Sequence, residues 1–125
     1  MIAYQTVGTN DIKKAAAFFD ALLGEMGASR IMEDDDFIVW ATAPDAPGFC
    51  VIKPYDKNKA TVGNGSMTAF AAQNPQMVDK LHARALALGA TDEGAAGPRG
   101  NGEFYAGYFR DLDGNKFNFF CMPEQ

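Results

Sequence analysis

The sequence predicts an α+β fold: two tandem βαβββ modules, about 1–55 and 64–125, forming a curved mixed sheet with a concave cup. Three observations predict it. Two amphipathic helical stripes each follow a capping residue, Asp11 and Asn74, and these caps lie 63 positions apart. Each stripe is preceded by one strand segment and followed by two or three more. A polar, glycine-rich stretch at 54–65, PYDKNKATVGNG, falls near mid-chain and connects the halves. Either half alone leaves one sheet face uncovered. Curving two such sheets toward each other creates a shared concave face lined by alternate strand residues, and concave faces are where small-molecule sites are usually found.

The elements follow in order. Residues 2–8 alternate as a strand, and TND then offers Asp11 as an N-cap. Ile12, Ala15, Phe18, Phe19, Leu22 and Leu23 recur at helical spacing, with Gly24 or Gly27 ending the helix. Strand candidates at 28–33, 36–43 and 48–53 fit a three-stranded meander. The acidic run Glu33 to Asp36 between the first two reads as a solvated corner. In the second half SMTAFAA is a strand, and Asn74-Pro75 caps and opens a helix whose apolar stripe is Met77, Val78, Leu81, Ala85 and Leu88. Gly89 stops it. A short strand near 91–95, the loop GAAGPRGNG, and two strong strands at 103–110 and 116–122 joined by DLDGN complete the chain.

Composition narrows the function. With 125 residues, 47% hydrophobic and 22% charged, the chain is an ordinary globule and not a disordered, collagen-like or disulfide-scaffold protein. No segment approaches a membrane span, and the N-terminus carries no basic segment followed by an apolar run, so a cytoplasmic protein is expected. The net charge of -5 lacks the field that gathers phosphate backbones. Neither nucleic acid nor membrane is expected as a partner. Cys50 and Cys121 sit in apolar surroundings outside any CxxC and read as buried, reduced thiols.

TNDIKKAAAFFDALLG, GNGSMTAFAA and GYFRDLDGNKFNFFC together resemble the glyoxalase, bleomycin-resistance and extradiol-dioxygenase group, the vicinal oxygen chelate superfamily. The similarity covers nearly the whole chain. The last segment, resembling the family's C-terminal hairpin, is the most specific, although Leu112 stands where proline is usual. The resemblance implies one divalent metal per cup, held by histidine and carboxylate ligands from the first, fourth, fifth and eighth strands. Carried over, those positions fall at Tyr4, at Met67, at Asn118 and within FCVI, and none supplies an imidazole or a carboxylate. A zinc, nickel or ferrous site needs about three or four such donors converging at about 2.0–2.3 Å. The one histidine, His82, reads as a partly exposed helical residue. No metal and no cofactor are therefore expected.

What remains in the expected cup is aromatic, thioether and neutral amide. If Tyr4, Met67 and Asn118 face inward, the surface suits a small, partly aromatic molecule; for Tyr4 and Met67, filling a closed core is the equal alternative. Asn118 is the more informative, because an amide within KFNFFC must find partners or line a wet space. A type I turn at Asp111 to Gly114 places Tyr108 across from Asn118; a slip by one residue substitutes Phe109. Trp40 is a pocket wall, or else a core or dimer-interface residue. Arg99, in the loop that in the family covers the cup, pairs with an anionic ligand group or remains solvated. Glu103 and Tyr105 are the nearby acid/base candidates, and no catalytic residue is assigned.

The expectation is thus a metal-independent binder of a small molecule on a vicinal-oxygen-chelate fold. The alternatives are a glyoxalase-like lyase or dioxygenase relative with a non-standard site, and a drug-sequestering protein like the bleomycin-resistance proteins. By analogy with the family, the protein is a homodimer.

Overall fold

A computed structural model describes residues 1–122 of the chain; residues 123–125, the expected end of the second module, lie outside it. The element order is β1 (Tyr4–Gly8), α1 (Ile12–Gly24), β2 (Ser29–Glu33), β3 (Phe37–Ala41), β4 (Gly48–Ile52), then β5 (Thr68–Ala71), α2 (Pro75–Ala87), β6 (Thr91–Arg99), β7 (Phe104–Arg110) and β8 (Lys116–Cys121). Two compact units result, Met1–Val62 and the chain from Gly63 onward. Each is a βαβββ module with one four-stranded mixed sheet, in the orders β1-β4-β3-β2 and β5-β8-β7-β6. In both, the strand before the helix runs parallel to the last strand of a three-stranded antiparallel meander.

Both helices start and stop where their caps dictate. The Asp11 side chain accepts from the Lys14 N–H at 3.1 Å and that of Asn74 from the Met77 N–H at 2.8 Å, each satisfying an orphan donor of a first turn. The helices close alike: Ala28 N–H donates to Leu23 O at 3.1 Å and Ala90 N–H to Ala85 O at 3.0 Å, after Gly27 and Gly89 adopt positive φ. The first module packs Phe19 against Phe49 and Trp40, at ring separations of 4.9 and 5.8 Å. The second stacks Phe109 on Phe117 and Phe119 at 5.3 and 5.4 Å.

Two boundaries differ from expectation. The strand expected near 91–95 runs on to Arg99, because Gly97, Pro98 and Arg99 pair with Ala106, Tyr105 and Phe104 after irregularities at Gly94. Pro98 is tolerated there because β6 is an edge strand. Met67, expected within a strand, lies just before β5. The acidic corner is exposed as expected, with the Asp34 carboxylate accepting the N–H groups of Asp36 and Phe37. Both cysteines are free and buried, and desolvation pushes both thiols up from their ordinary pKa. Among the described residues no helix is long and apolar enough to cross a membrane.

Candidate functional site

The second sheet sorts its side chains by the strand period of two. Phe109 and Phe117 lie side by side, as do Gly107 and Phe119, on the face that α2 covers. The adjoining positions turn the other way. Tyr108 lies opposite Asn118, Arg110 opposite Lys116, and Ala69 of β5 beside Asn118. Of the two registers open to the hairpin, the structure takes the one that pairs Tyr108 with Asn118. The turn is tied by Gly114 N–H donating to Asp111 O at 3.1 Å, with Gly114 at φ +88°. The buried Asp111 carboxylate accepts from the N–H groups of Asp113 and Asn115, both at 2.9 Å. Burial pushes the Asp111 pKa up against those hydrogen bonds.

On this outer face Asn118 is 2% exposed, and its Oδ1 has no hydrogen-bond partner among the described residues. A buried acceptor left so costs about 1–3 kcal/mol. Beside it the Tyr108 ring is flanked by two cations, the Arg99 Cζ at 5.5 Å and the Lys116 Nζ at 5.6 Å from its centroid. Arg99 is anchored by donating to Ala95 O at 2.6 Å and Pro98 O at 3.2 Å. Arg110 forms an ion pair with Glu93, whose carboxyl the guanidinium holds below the usual range.

From the other side of the sheet, His82 holds the strand that carries Tyr108. It is 6% exposed, a correction to the partly exposed residue expected. Its Nε2–H donates to Tyr108 O at 3.0 Å and lies 3.2 Å from Asp92 Oδ1. Gly107 makes room: a Cβ there meets His82 ring carbons at 2.9 and 3.0 Å. Composition could not reveal this approach, but a glycine inside the strand FYAGYFR is its signal.

The remaining expected residues do not join this face. Trp40 is 1% exposed, donates its Nε1–H to Asp20 Oδ1 at 2.9 Å, and belongs to the core under α1 rather than to a pocket wall. Tyr4 registers with Gly48 on the opposite face of that first sheet and is 65% exposed. Met67 is 44% exposed. The Tyr105 phenol donates to Asp79 Oδ1 at 2.6 Å on the α2 side, which raises its pKa, and Glu103 is exposed in the turn before β7. Neither acid/base candidate is on the Tyr108 face. Lys116 is an addition to the expected residues, and its spacing of two from Asn118 assigns it the same face. Two clefts of about 670 and 570 Å³ lie in the first module around Lys53, and neither includes an expected site residue.

Among the described residues no three histidine, cysteine or carboxylate side chains converge to hold a metal ion. The phenol at Tyr4, the thioether at Met67 and the carboxamide at Asn118 do not match the nitrogen and carboxylate donors that a divalent ion of the expected kind needs. A model of the Glyoxalase/Bleomycin resistance protein/Dioxygenase superfamily matches residues 2–119. The chain belongs to this superfamily. A solved glyoxalase/bleomycin resistance protein from Albidiferax ferrireducens T118 is 36% identical, with 98% of this chain and 99% of that one covered at a TM-score of 0.89. A superfamily enzyme from Burkholderia phytofirmans PsJN shares the fold at 20% identity, covering 94% and 95% of the two chains at a TM-score of 0.76. So does the fosfomycin resistance protein FosX from Listeria monocytogenes, solved with Mn(II) and 1S,2S-dihydroxypropylphosphonic acid, at 22% identity, 95% and 87% coverage and a TM-score of 0.73. Among curated proteins none matches significantly. Relative to the superfamily pattern implied by its sequence, this member places an amide, and not a carboxylate, at the centre of its last strand.

Proposed function

We propose that this superfamily member binds a small, partly aromatic molecule on the Tyr108–Asn118 face of its second module, and that it does so without a divalent metal. The observation that carries the proposal is the buried Oδ1 of Asn118, an acceptor with no partner among the described residues. Natural interiors pair such atoms, so an orphan at a strand centre is accounted for by a ligand or an ordered water that completes it. Tyr108, half-buried and directly across the ladder, supplies an aromatic surface and a phenol beside the amide. The side chains at the carried-over metal positions support metal independence, because a carboxamide, a phenol and a thioether are poor ligands for zinc, nickel or ferrous iron.

The test is a pair of measurements on one preparation. Protein dialysed against zinc, nickel, manganese and ferrous iron in turn is assayed for bound metal, and the chelator-treated protein is screened by thermal shift against small aromatic acids, alcohols and amides. Substoichiometric metal, with at least one compound stabilising the chelated wild type and not Asn118→Leu, is the expected outcome. One tightly held ion per chain overturns metal independence and favours the lyase- or dioxygenase-like alternative.

A further inference from the structure

Resting on that reading of the site, we infer that the ligand is a small organic anion that also carries a hydroxyl or N–H donor: the anionic group is held by the charges of Arg99 and Lys116 beside the Tyr108 ring, and the donor completes Asn118 Oδ1. Three neighbouring strands contribute, with Arg99 on β6, Tyr108 on β7, and Lys116 and Asn118 on β8. Both cations approach one ring, at 5.5 and 5.6 Å from its centroid. A ring quadrupole attracts a cation without cancelling its charge. The neighbouring cation, Arg110, is already neutralised by Glu93. Arg99 donates only to backbone carbonyls, and among the described residues neither it nor Lys116 has a carboxylate partner within ion-pair distance.

Glu93 is also within electrostatic reach of Lys116, so this face carries a positive surplus that is only partly offset, on a chain whose net charge is -5. Because the long-range field of an acidic protein repels anions, this surplus is a short-range feature that an anion reaches by contact. A carboxylate or phosphate that reaches either cation gains a charge-assisted hydrogen bond. The same charge argues against the cationic drugs that a bleomycin-resistance-like reading implies. Lys116 and Asn118 are two residues apart on one face of β8, so a ligand that carries its anion and its donor close together, as a 2-hydroxy acid does, can address both.

Calorimetry at low salt with mandelate, mandelamide and phenylacetate separates the parts. Mandelate has anion, hydroxyl and ring; mandelamide lacks the charge and phenylacetate lacks the hydroxyl. The expectation is that mandelate binds about tenfold more tightly than either. Arg99→Gln and Lys116→Gln each weaken mandelate severalfold and leave mandelamide unchanged, while Asn118→Leu erases the preference for mandelate over phenylacetate. Raised ionic strength weakens mandelate alone. Melting curves of the two charge variants, altered only at half-buried outer-face positions, check that the fold is intact. Mandelate and mandelamide binding equally, in a manner Asn118→Leu abolishes, overturns the anion while the site stands. Binding of none of the three at millimolar concentration, or binding that Asn118→Leu leaves untouched, removes the site reading along with it.

Discussion

Eight residues beyond each helix cap the two modules place different side chains at the same point of the same topology: Phe19 in the first, His82 in the second. Around Phe19 stand Trp40 and Phe49, and the equivalent strand positions around His82 are Phe109 and Phe117. Where the first module has Ile38 facing its helix, the second has Gly107, and the space the isoleucine would fill is taken by the imidazole. The outer faces differ in the same sense. The central row of the first sheet is Thr6, Cys50 and Val39; that of the second is Ala69, Asn118 and Tyr108. One copy of the scaffold is packed as a plain core. The other spends its core position on holding Tyr108 by its carbonyl and its outer row on an unsatisfied amide, which is where a binding function is expected to leave its mark.

Substituting Gly107→Ala is expected to do the most damage, about 3 kcal/mol, because its methyl meets the His82 ring and the strand backbone cannot retreat. Urea unfolding measures it. The comparison sharpens in a double-mutant cycle: with His82→Ala already in place, the ring contacts are gone and only the Cβ at 3.1 Å remains against the added methyl, so Gly107→Ala costs less. Additive costs would show that the imidazole and the glycine are not the coupled pair the geometry makes them. In the first module Asp20→Ala is expected to cost about 1–3 kcal/mol, since it strips the buried Trp40 Nε1–H of its acceptor and leaves Arg30 only the Glu33 carboxylate, and Asp20→Asn, which keeps an oxygen for the indole, costs less.

The smallest expected effect is a pH response of opposite sign at two carboxyls, Asp20 and Asp111. Hydrogen bonding from Arg30 leads the causes that lower the Asp20 pKa, so its stabilising contribution is present above the unfolded value and is lost as pH falls through the lower folded one, below about 4. Burial raises the Asp111 pKa, so the folded state takes up that proton first; acidification toward about 4 relieves a penalty and stabilises. Melting temperature against pH is therefore expected to show a shallow gain before the acid loss, and Asp111→Asn removes the gain alone.

Much of the scaffold was legible because it depends on local chemistry: Asp11 and Asn74 as caps, Gly24 or Gly27 and Gly89 as stops, and the alternation of KFNFFC. The turn residues of DLDGN narrowed the partner of Asn118 to Tyr108 or Phe109, and the structure takes Tyr108. The extension of β6 through Gly97 and Pro98 did not, because only an edge position makes proline admissible and edges are set by topology. Nor did the burial of His82, which depends on a glycine 25 residues away in sequence. Trp40 was ambiguous because a tryptophan in a strand suits a core and a pocket equally; the Asp20 carboxylate that receives its N–H decides for the core.

Thermal unfolding of Asn118→Leu against the wild type, each with and without mandelate, tests the central claim most directly. If the second module's amide is kept for a ligand and not for packing, the leucine protein is the more stable without ligand, by about 1–3 kcal/mol, and mandelate raises the melting temperature of the wild type only. A leucine protein that melts lower than the wild type, or that mandelate stabilises as much, contradicts it.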